Sequence, residues 1–411
     1  MRAEIIATGS ELLSGGMPDT NSLFLAEELL DLGIATAFKT VVGDDEKDME
    51  EAFRRALERA EVVVITGGIG PTEDDITRKV TAKIAKKRLV LNEDALRAIK
   101  AVLAGRGKEY MTANDRQALI PAGARLLPNS VGVAPGFFFE EGGKFIAALP
   151  GVPEEMRAMF LEELKPVLAE RVGGRVFLRR RILRTCGMSE SAVNQALQDI
   201  LKKDRPAVGL TAKETGVDVR IVGEESSSER AQAEVEKAAT AIRERLGDAI
   251  YGVDNQDMEE VVGALLKQRR LKLSVAESCT GGLIGARITN VSGSSEYFER
   301  GAVVYGNQAK TEMLGVPEEL IKKHGSVSRE VAAAMAQGIR RAARTDYGLS
   351  VTGIAGPGGG TREKPVGLVY IGLASPQGVK VEEHKYLGTR AQIRLKASQM
   401  ALDMVRKHLI G

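Results

Sequence analysis

Short apolar segments alternate with amphipathic helical segments from the amino terminus of the chain onward. Strands are predicted at 4–7, 34–42 and 62–66, and helices at about 22–32 and 47–60. A chain in which strands and helices alternate folds into a mostly parallel sheet covered by helices. Ligands of such sheets bind beyond the carboxyl ends of the strands, so the residues that follow each strand are the first candidates for a functional site.

Length and composition limit the class of protein. A chain of 411 residues is too long for one hydrophobic core and predicts two or three domains. Its net charge of +2 comes from 58 basic and 56 acidic residues, so no global field draws it to nucleic acid or membrane. Two distant cysteines, Cys186 and Cys279, fit a reducing cytosol. Without a signal-length apolar run at the start or a run of about 20 apolar residues later, we expect a cytoplasmic protein.

The loop after the third predicted strand reads Thr66-Gly67-Gly68-Ile69-Gly70-Pro71-Thr72-Glu73-Asp74-Asp75. Its glycines let a ligand approach the backbone, and its N–H groups lie beside a helix predicted from about Asp75, which is typical of a phosphate site. Acidic residues at such a site imply that a divalent cation such as magnesium bridges them to the phosphates. The alternative is that Asp74 and Asp75 only cap the helix.

This loop is one of several motifs that arrive in a recognisable order. With Gly9-Ser10-Glu11, Asp19 and Asn21 before it and 128–136 after it, the segment resembles the molybdopterin-binding fold, and more closely the amino-terminal domain of the CinA (competence/damage-inducible) family. The resemblance implies a three-layer αβα domain over 1–168 that hydrolyses ADP-ribose to AMP and ribose 5-phosphate. It implies that the substrate is held by Gly67, Gly68, Gly70, Thr72 and Asn21. A divalent, magnesium-like metal would be held by Asp19, Asp74, Asp75 and Glu11.

The middle segment, 169–253, is predicted to be a small α+β module. A strand from Val176 to Leu183 carries the basic run 179–181, with Arg184 just beyond it; Ser189 then caps a helix that ends near Leu201. A strand at 217–222 and a helix at 228–246 complete the module, and CinA relatives carry a KH-like fold here. KH folds bind single-stranded nucleic acid through a GXXG loop, whereas Gly173-Gly174 is not such a loop. We therefore expect a structural or dimer-forming module, with the arginines on a solvated face or subunit contact.

A third domain is predicted over 254–411, with a helix at 258–268. A strand at 271–276 leads through Glu277-Ser278-Cys279-Thr280-Gly281-Gly282 into a helix at 283–289, which is again the geometry of an anion site. The loop Ser292-Gly293-Ser294-Ser295 follows, and then a strand at 301–305 that leads to Asn307 and Lys310. A further strand at 348–352 ends in the glycine-rich run 353–360, which predicts either a phosphate-wrapping loop or a mobile hairpin.

Serine chemistry in this domain would have to use lysine as its base. No histidine or aspartate lies in 276–310, and the chain has only His324, His384 and His408. A lysine can act as base if its pKa falls well below about 10.4, which burial achieves. Cys279 is the rival nucleophile, because a helix amino terminus lowers the pKa of a thiol. Taken singly, Ser278 and Thr280 could be helix caps, Lys310 a surface residue and Tyr305 a core residue.

These motifs, in this order, resemble the nicotinamide-nucleotide amidase (PncC-type) domain of the CinA family. The resemblance implies hydrolysis of nicotinamide mononucleotide to nicotinic acid mononucleotide and ammonia without a cofactor. It implies that Ser295 attacks the carboxamide, that Lys310 and Ser278 relay its proton, and that Tyr305 orients Lys310 or the substrate. Backbone N–H groups near Ser294 and Ser295 would stabilise the oxyanion. Further substrate contacts would come from Thr280, Gly281, Ser294, Asn307, Thr352, Gly353, Gly356 and, for the 5′-phosphate, Arg390.

The combined expectation is a cytoplasmic, homodimeric bifunctional hydrolase that acts on nicotinamide mononucleotide and ADP-ribose. Nucleic acid and membrane are not expected as partners. Two other classes of function stay open from the sequence. One is a non-catalytic module that binds molybdopterin or an adenylate, and the other is a competence-related protein that contacts DNA through 179–184.

Overall fold

The structure is a computed structural model that describes residues 1–173 and 177–411. The described chain forms two compact units, Met1–Arg179 with Gly223–Ala233, and Arg180–Val222 with Glu234–Gly411. Gly174 and the expected strand start at Val176 lie outside the described residues. In the part that is described, no helix combines the length and the apolar composition needed to cross a membrane.

The amino-terminal region contains eight strands and seven α-helices. The strands are β1 Arg2–Thr8, β2 Ala35–Val42, β3 Val62–Thr66, β4 Leu89–Leu91, β5 Leu119–Pro121, β6 Arg125–Leu127, β7 Gly136–Glu141 and β8 Lys144–Leu149. The helices are α1 Ser10–Leu13, α2 Asn21–Asp31, α3 Glu46–Arg59, α4 Thr77–Ile84, α5 Glu93–Gly105, α6 Pro153–Met159 and α7 Lys165–Val172. A 3₁₀ segment spans Thr112–Ala118, and a π-helical segment, Phe160–Leu164, joins α6 to α7.

Six of these strands form one sheet in the order β2-β1-β3-β8-β7-β6, in which the first four are parallel. Every residue of β3 is buried, as expected for a central parallel strand. Val62 and Val64 pack on the face covered by α2, α6 and α7, whereas Val63 and Ile65 pack on the face covered by α3 and α4. The domain is therefore the three-layer αβα structure that the resemblance implied.

The middle module consists of a four-stranded sheet and three helices. Its strands are β9 Phe177–Thr185, β10 Ala207–Lys213, β11 Gly216–Glu225 and β12 Ile250–Val253, in the order β10-β11-β9-β12. Its helices are α8 Glu190–Ala196, α9 Gln198–Leu201 and α10 Ser228–Leu246. Ser189 caps α8 through the amide of Ala192, as predicted, but the expected single helix to Leu201 is broken at Leu197.

The carboxyl-terminal domain is a second sheet with helices on both faces. The strands are β13 Leu273–Glu277, β14 Phe298–Val303, β15 Tyr347–Gly353, β16 Leu368–Ser375 and β17 Gly378–Lys385, in the order β14-β13-β15-β16-β17. The helices are α11 Met258–Arg269, α12 Leu283–Thr289, α13 Asn307–Leu314, α14 Glu318–His324, α15 Arg329–Ala343 and α16 Arg390–Ile410. Helices α11, α12 and α16 share one core with the sheet, and α13, α14 and α15 share the other.

Candidate functional site

The loops after β13, β14 and β15 lie side by side, because these three strands are parallel and neighbouring. The amide of Ser278 donates to the carbonyl of Val351 at 2.9 Å, and the amide of Val304 donates to the carbonyl of Glu277 at 2.8 Å. The carboxyl edge of the sheet therefore brings Ser278 and the start of the loop that leads to Lys310 to one place. This is the edge where ligands bind in such sheets.

Lys310 contacts residues of two of these loops, the one after β13 and the one after β14. Its side chain is only 1% exposed, although it lies in the first turn of α13. The Nζ atom donates to the carbonyl oxygens of Val304 and Tyr305, each at 3.0 Å, and contacts Ser278 Oγ at 3.3 Å. The carbonyl of Gly306 is a longer acceptor at 3.5 Å. The predicted pair of Lys310 and Ser278 is thus in hydrogen-bond contact.

The surroundings of Lys310 make its amine easier to deprotonate than that of an exposed lysine. Burial lowers the pKa of the amine, opposed by interaction with Cys279, and no carboxylate pairs with Nζ among the described residues. A neutral amine has two hydrogens and one lone pair. The two N–H groups can donate to the carbonyls of Val304 and Tyr305, while the lone pair accepts a hydrogen bond from the hydroxyl of Ser278. This arrangement supports a proton relay between the serine and the lysine.

Tyr305 contributes to the edge through two different groups. Its carbonyl accepts from Lys310, while its side chain is 60% exposed and is not the core residue that its sequence neighbours suggested. The hydroxyl accepts from Arg390 Nη2 at 2.9 Å, and Arg390 Nη1 donates to the carbonyl of Gly356 at 2.8 Å. Three residues predicted separately, Tyr305, Gly356 and Arg390, therefore form one cluster.

Ser294 and Ser295 lie in a short 3₁₀ segment, Ser294–Glu296, that follows the left-handed Gly293. The side chain of Ser295 is exposed and makes no hydrogen bond to the described residues. The amide of Ser294 donates to the carbonyl of Val291 at 3.1 Å, so this group is engaged within its own turn. The structure does not join Ser295 to the contact between Ser278 and Lys310, and its assignment as nucleophile stays a prediction.

The start of α12 is not an open anion site, which corrects the expectation from sequence. The carboxylate of Glu277, only 2% exposed, accepts from the amides of Gly282 at 3.0 Å, Ile284 at 3.1 Å and Gly285 at 2.8 Å. A carboxylate from the end of β13 thus fills the place that a ligand phosphate would take. We missed Glu277 as a functional position, although an acidic residue just before a glycine pair and a helix is a signal for such a cap.

Cys279 is not activated in this setting, contrary to the effect expected from the helix terminus. The thiol is 5% exposed, and burial raises its pKa to about 12. The amides that could stabilise a thiolate are directed at Glu277 instead. A thiol with this pKa is almost fully protonated at neutral pH, so it is a poor rival to a serine.

The remaining predicted contacts of this domain divide into structural and accessible positions. Thr352 is 1% exposed and donates to the carbonyl of Ser326 at 2.8 Å, and a Cβ on Gly353 would lie 2.7 Å from the carbonyl of Leu368. Thr280 is fully buried, and its Oγ1 has no partner among the described residues. Gly281 and Asn307 are exposed. Thr352 and Gly353 therefore have packing roles that explain them without a ligand.

The equivalent edge of the amino-terminal sheet is formed by the ends of β1, β3 and β8. Asn21 Nδ2 donates to Thr66 Oγ1 at 3.0 Å and to the carbonyl of Gly151 at 2.8 Å, while its buried Oδ1 has no partner in the described chain. A Cβ on Gly67 would lie 2.5 Å from the carbonyl of Thr8, and one on Gly68 would lie 2.2 Å from Thr77 Oγ1. Two of the glycines are therefore required by close packing of the protein on itself.

The rest of the glycine loop is held by its own side chains. Asp75 Oδ2 accepts from the amide of Thr72 at 2.8 Å and from its hydroxyl at 2.5 Å. Arg78, 3% exposed, donates to the carbonyls of Ile69 and Gly70, and burial lowers its pKa to about 10. The helix after the loop, α4, begins at Thr77 rather than at Asp75. Asp75 thus orders the loop and not the helix terminus.

The four carboxylates predicted to hold a metal do not form a cluster. Asp19 Oδ1 accepts from the amide of Ser22 at 2.9 Å, Glu11 lies against Gly9, and Asp74 is exposed. No group of three or more histidine, cysteine, aspartate or glutamate residues suited to a metal ion occurs in 1–173 or 177–411. The four residues therefore do not form a protein-only cage for a metal ion.

The basic run of the middle module is paired with acidic and polar groups. Arg179 donates to Ser228 Oγ at 2.6 Å, and Arg181 lies 2.7 Å from a Glu236 oxygen. Arg184 contacts Asp257 at 2.6 Å. The carboxylates that contact Arg181 and Arg184 offset part of the positive charge that would attract a nucleic-acid backbone.

Comparison with known proteins finds three family models along the chain. The "Probable molybdopterin binding domain" matches residues 4–170, the "Damage-inducible protein CinA KH domain" matches 180–252 and the "CinA C-terminal domain" matches 255–409. A relative from Caldicellulosiruptor bescii, whose name provisionally places it among the competence-damage inducible proteins, is 46% identical over 411 residues and all of both chains. The CinA-like protein of Dictyoglomus thermophilum is 43% identical over 412 residues, again over all of both chains. The solved structure of competence/damage inducible protein CihA from Agrobacterium tumefaciens covers 38% of this chain and 97% of its own, with 42% identity and a TM-score of 0.37.

Proposed function

Because the chain belongs to the CinA family, we propose that its carboxyl-terminal domain hydrolyses the carboxamide of nicotinamide mononucleotide to release ammonia. The observation that carries this proposal is the buried amine of Lys310, which lies 3.3 Å from Ser278 Oγ. A desolvated lysine in contact with a serine is a general base for a hydroxyl nucleophile.

In the proposed reaction Ser295 Oγ attacks the carboxamide carbon and forms the bond to carbon. Its proton passes to Ser278 Oγ, while the proton of Ser278 passes to Lys310 Nζ. Collapse of the tetrahedral intermediate breaks the carbon–nitrogen bond, and the proton on Lys310 returns through Ser278 to the leaving ammonia. Water then cleaves the acyl-serine by the same relay. This sequence requires Ser295 to come within hydrogen-bond distance of Ser278 when substrate binds.

Ammonia release by the full chain tests this assignment. Ser295→Ala and Lys310→Met are each expected to lower kcat by about 10² to 10⁴-fold, the usual contribution of a nucleophile with its base. Ser292→Ala is the matched control, since this exposed serine belongs to the same loop, and it should keep full activity. Release should persist in a chelator. Full activity of Ser295→Ala together with loss of activity in Cys279→Ala would show that the thiol is the nucleophile.

The unpartnered amide oxygen of Asn21 favours a second function, in the amino-terminal domain. A buried polar atom without a protein partner is a place where a ligand or a water molecule can donate a hydrogen bond. Asn21 lies at the carboxyl edge of the sheet, next to the glycine loop. In view of the family, we propose that this edge binds ADP-ribose and hydrolyses its diphosphate.

A divalent metal would enter this edge together with the diphosphate. Magnesium is commonly held by one or two carboxylates plus substrate phosphates, and the exposed carboxylate of Asp74 would supply one such ligand. The metal would supply charge neutralisation of the phosphates. Binding of Mn²⁺, followed by its paramagnetic signal, should require ADP-ribose and should weaken in Asp74→Asn. Binding of equal strength without ADP-ribose would show a protein-only site, and formation of AMP separates hydrolysis from binding.

A further inference from the structure

Ser295 and Ser278 lie at opposite edges of the carboxyl-terminal sheet. Strands β13 and β14 are parallel and pair with each other directly. Ser278 comes directly after β13, whereas Ser295 comes shortly before β14. A strand rises about 3.3 Å per residue, so the length of β14 separates the two serines by roughly 16 Å. Within one chain, Ser295 therefore reaches Ser278 only if β14 separates from β13.

The turn that carries Ser295 is anchored where it lies. Tyr297, two residues further on, is only 3% exposed and belongs to the core of the domain. Its carbonyl accepts from the amide of Leu273, at the start of β13, at 2.8 Å. Its ring packs so closely on α11 that a Cβ on Gly263 would overlap it. Movement of Ser295 across the sheet would break these contacts, so the nucleophile of the proposed relay has to come from another chain.

The outer side of β14 is open to a further strand. The strand is at one end of the sheet order, and no strand within 1–173 or 177–411 pairs with its outer side. The amide of Val304 donates to Glu277 of β13 at 2.8 Å. Because the backbone groups of successive residues point to opposite sides of a strand, those of Gly301 and Val303 point away from β13. Both residues are exposed, and such an edge is a template for pairing.

The other edge of the sheet, β17, is protected from pairing. Charged side chains on an edge strand oppose the approach of a second strand. In β17 these are Lys380, Glu382, Glu383 and Lys385. In β14 the charged residues, Glu299 and Arg300, are confined to the first half, and 301–303 has none. Of the two edges, β14 is therefore the one suited to strand addition.

A second copy of the chain brings the missing serine to the right edge. Two copies related by a two-fold axis pair the same strand antiparallel, so the amino end of one β14 lies beside the carboxyl end of the other. Ser295 of one copy then lies beside 304–306 of the other. The carbonyls of Val304 and Tyr305 in that segment hold Lys310. The two-fold axis completes both sites in the same way.

We propose that two copies of this chain pair through β14, and that each amidase site takes Ser278 and Lys310 from one copy and Ser295 from the other. This inference rests on the proposed function, which assigns Ser295 to the reaction. Every bond and proton transfer of the proposed relay is kept, and only the chain that supplies the attacking hydroxyl changes. A single copy holds the base without the nucleophile.

Two heterodimers of the full chain, each co-expressed with two different affinity tags and purified through both, test the proposal. A Ser295→Ala chain paired with a Lys310→Met chain has one intact site if sites are shared, so it should release ammonia at about half the wild-type rate. A wild-type chain paired with a chain that carries both substitutions then has no intact site and should be inactive. Sites built from one chain give the reverse result for both heterodimers.

That reverse result, or failure to recover any heterodimer, would overturn the shared site while the amidase stands. Val303→Lys puts a charge on the pairing edge and should lower kcat as far as Ser295→Ala does. Ile410→Lys is the matched control, because Ile410 is similarly exposed, 44% against 51%, but lies on α16; it should keep full activity. Wild-type kcat in Val303→Lys would also overturn the shared site. A wild-type chain that releases no ammonia would instead remove the proposed function itself.

Discussion

The amine of Lys310 has no carboxylate partner within 1–173 or 177–411 that would stabilise its charged form. Three hydrogen bonds to neutral oxygens replace part of its hydration, but burial still lowers its pKa. The same residue would be an ordinary solvated lysine if α13 presented it to water. The chemistry of this site therefore depends on where the helix places the side chain, not on the residue type alone.

The lowered pKa of Lys310 predicts how stability and activity change with pH. Between the folded-state pKa and the ordinary value of 10.5, the unfolded chain binds more protons than the native chain, so the free energy of unfolding rises with pH in this window. Relative to Lys310→Met, the wild type should gain stability there, as measured by urea unfolding at several pH values. The kcat/KM of ammonia release should rise with pH with a midpoint below 10.5. A midpoint at or above that value would contradict a neutral base.

The two thiols should be unreactive in the native protein. Burial raises the pKa of both Cys186 and Cys279 to about 12, so little thiolate is present at pH 8. After brief exposure of the native chain to iodoacetamide at pH 8, mass spectrometry should find neither thiol modified. The same treatment in guanidinium should modify both, which serves as the control. Rapid native labelling of Cys279 would reopen its assignment as nucleophile.

At the scale of elements, β13 and α12 are joined by a side chain rather than by the backbone alone. Glu277 ends the strand and caps the helix, and the loop between them carries Ser278, Cys279 and Thr280. The geometry of that loop is therefore set from both of its ends. A change at Glu277 is expected to act on the position of Ser278 without any contact with substrate.

Removal of this cap should loosen α12 measurably. Glu277→Ala leaves three amides without their acceptor, and hydrogen bonds to a charged group contribute about 1.5 to 3 kcal/mol each, not additively. We expect at least about 3 kcal/mol less protection for the amides of 282–285 in hydrogen exchange of the full chain. Glu296→Ala is the control, because its exposed pair with Lys267 contributes at most about 1 kcal/mol. Equal protection in the two variants would show that the cap is not needed.

Periodicity located most elements, whereas contacts between elements could not be read from it. The bounds of β3, α10 and α12 agree with those predicted from apolar spacing and capping residues. Strand β14 was predicted at 301–305 but spans Phe298–Val303, because its register is set by pairing with β13 through an irregularity between Leu273 and Ser274. The burial of Lys310 and the bridge from Arg390 to Tyr305 arise from such pairing. The resemblance predicted that Lys310 acts with Ser278 and Tyr305, but the bridge from Arg390 to Tyr305 was not predicted.

At the scale of the whole molecule, both large domains place their candidate residues at the same kind of edge. Asn21 with the glycine loop and Ser278 with Lys310 each lie beyond the carboxyl ends of neighbouring parallel strands. The fold explains why candidate sites occur there, but the side chains at each edge decide the chemistry. One edge offers an unpartnered amide and carboxylates, and the other offers a buried amine and an exposed arginine, Arg390.

The balanced charge of the molecule predicts weak interaction with DNA. Arg181, the last residue of the basic run, is paired with Glu236, and Arg184, just beyond the run, is paired with Asp257. Fluorescence anisotropy with a labelled single-stranded oligonucleotide should detect no binding by the full chain in 0.15 M salt, about the physiological ionic strength. Asp257→Asn, which removes one of the two carboxylates that contact Arg184, should bind more than wild type at low salt. Tight wild-type binding with a steep salt dependence would favour the DNA-contacting alternative.

Apart from Ser278 Oγ, the acceptors around Lys310 are main-chain carbonyls, which every amino acid supplies. The hydrogen bonds of the Lys310 amine therefore do not depend on which side chains 304–306 carry. The side chain of Tyr305 is exposed and contacts Arg390. Substitutions of Tyr305 can alter what the edge accommodates without removing a ligand of the amine. A saturation library at this position would vary the substrate preference of the proposed amidase while the hydrogen bonds of the Lys310 amine stay in place.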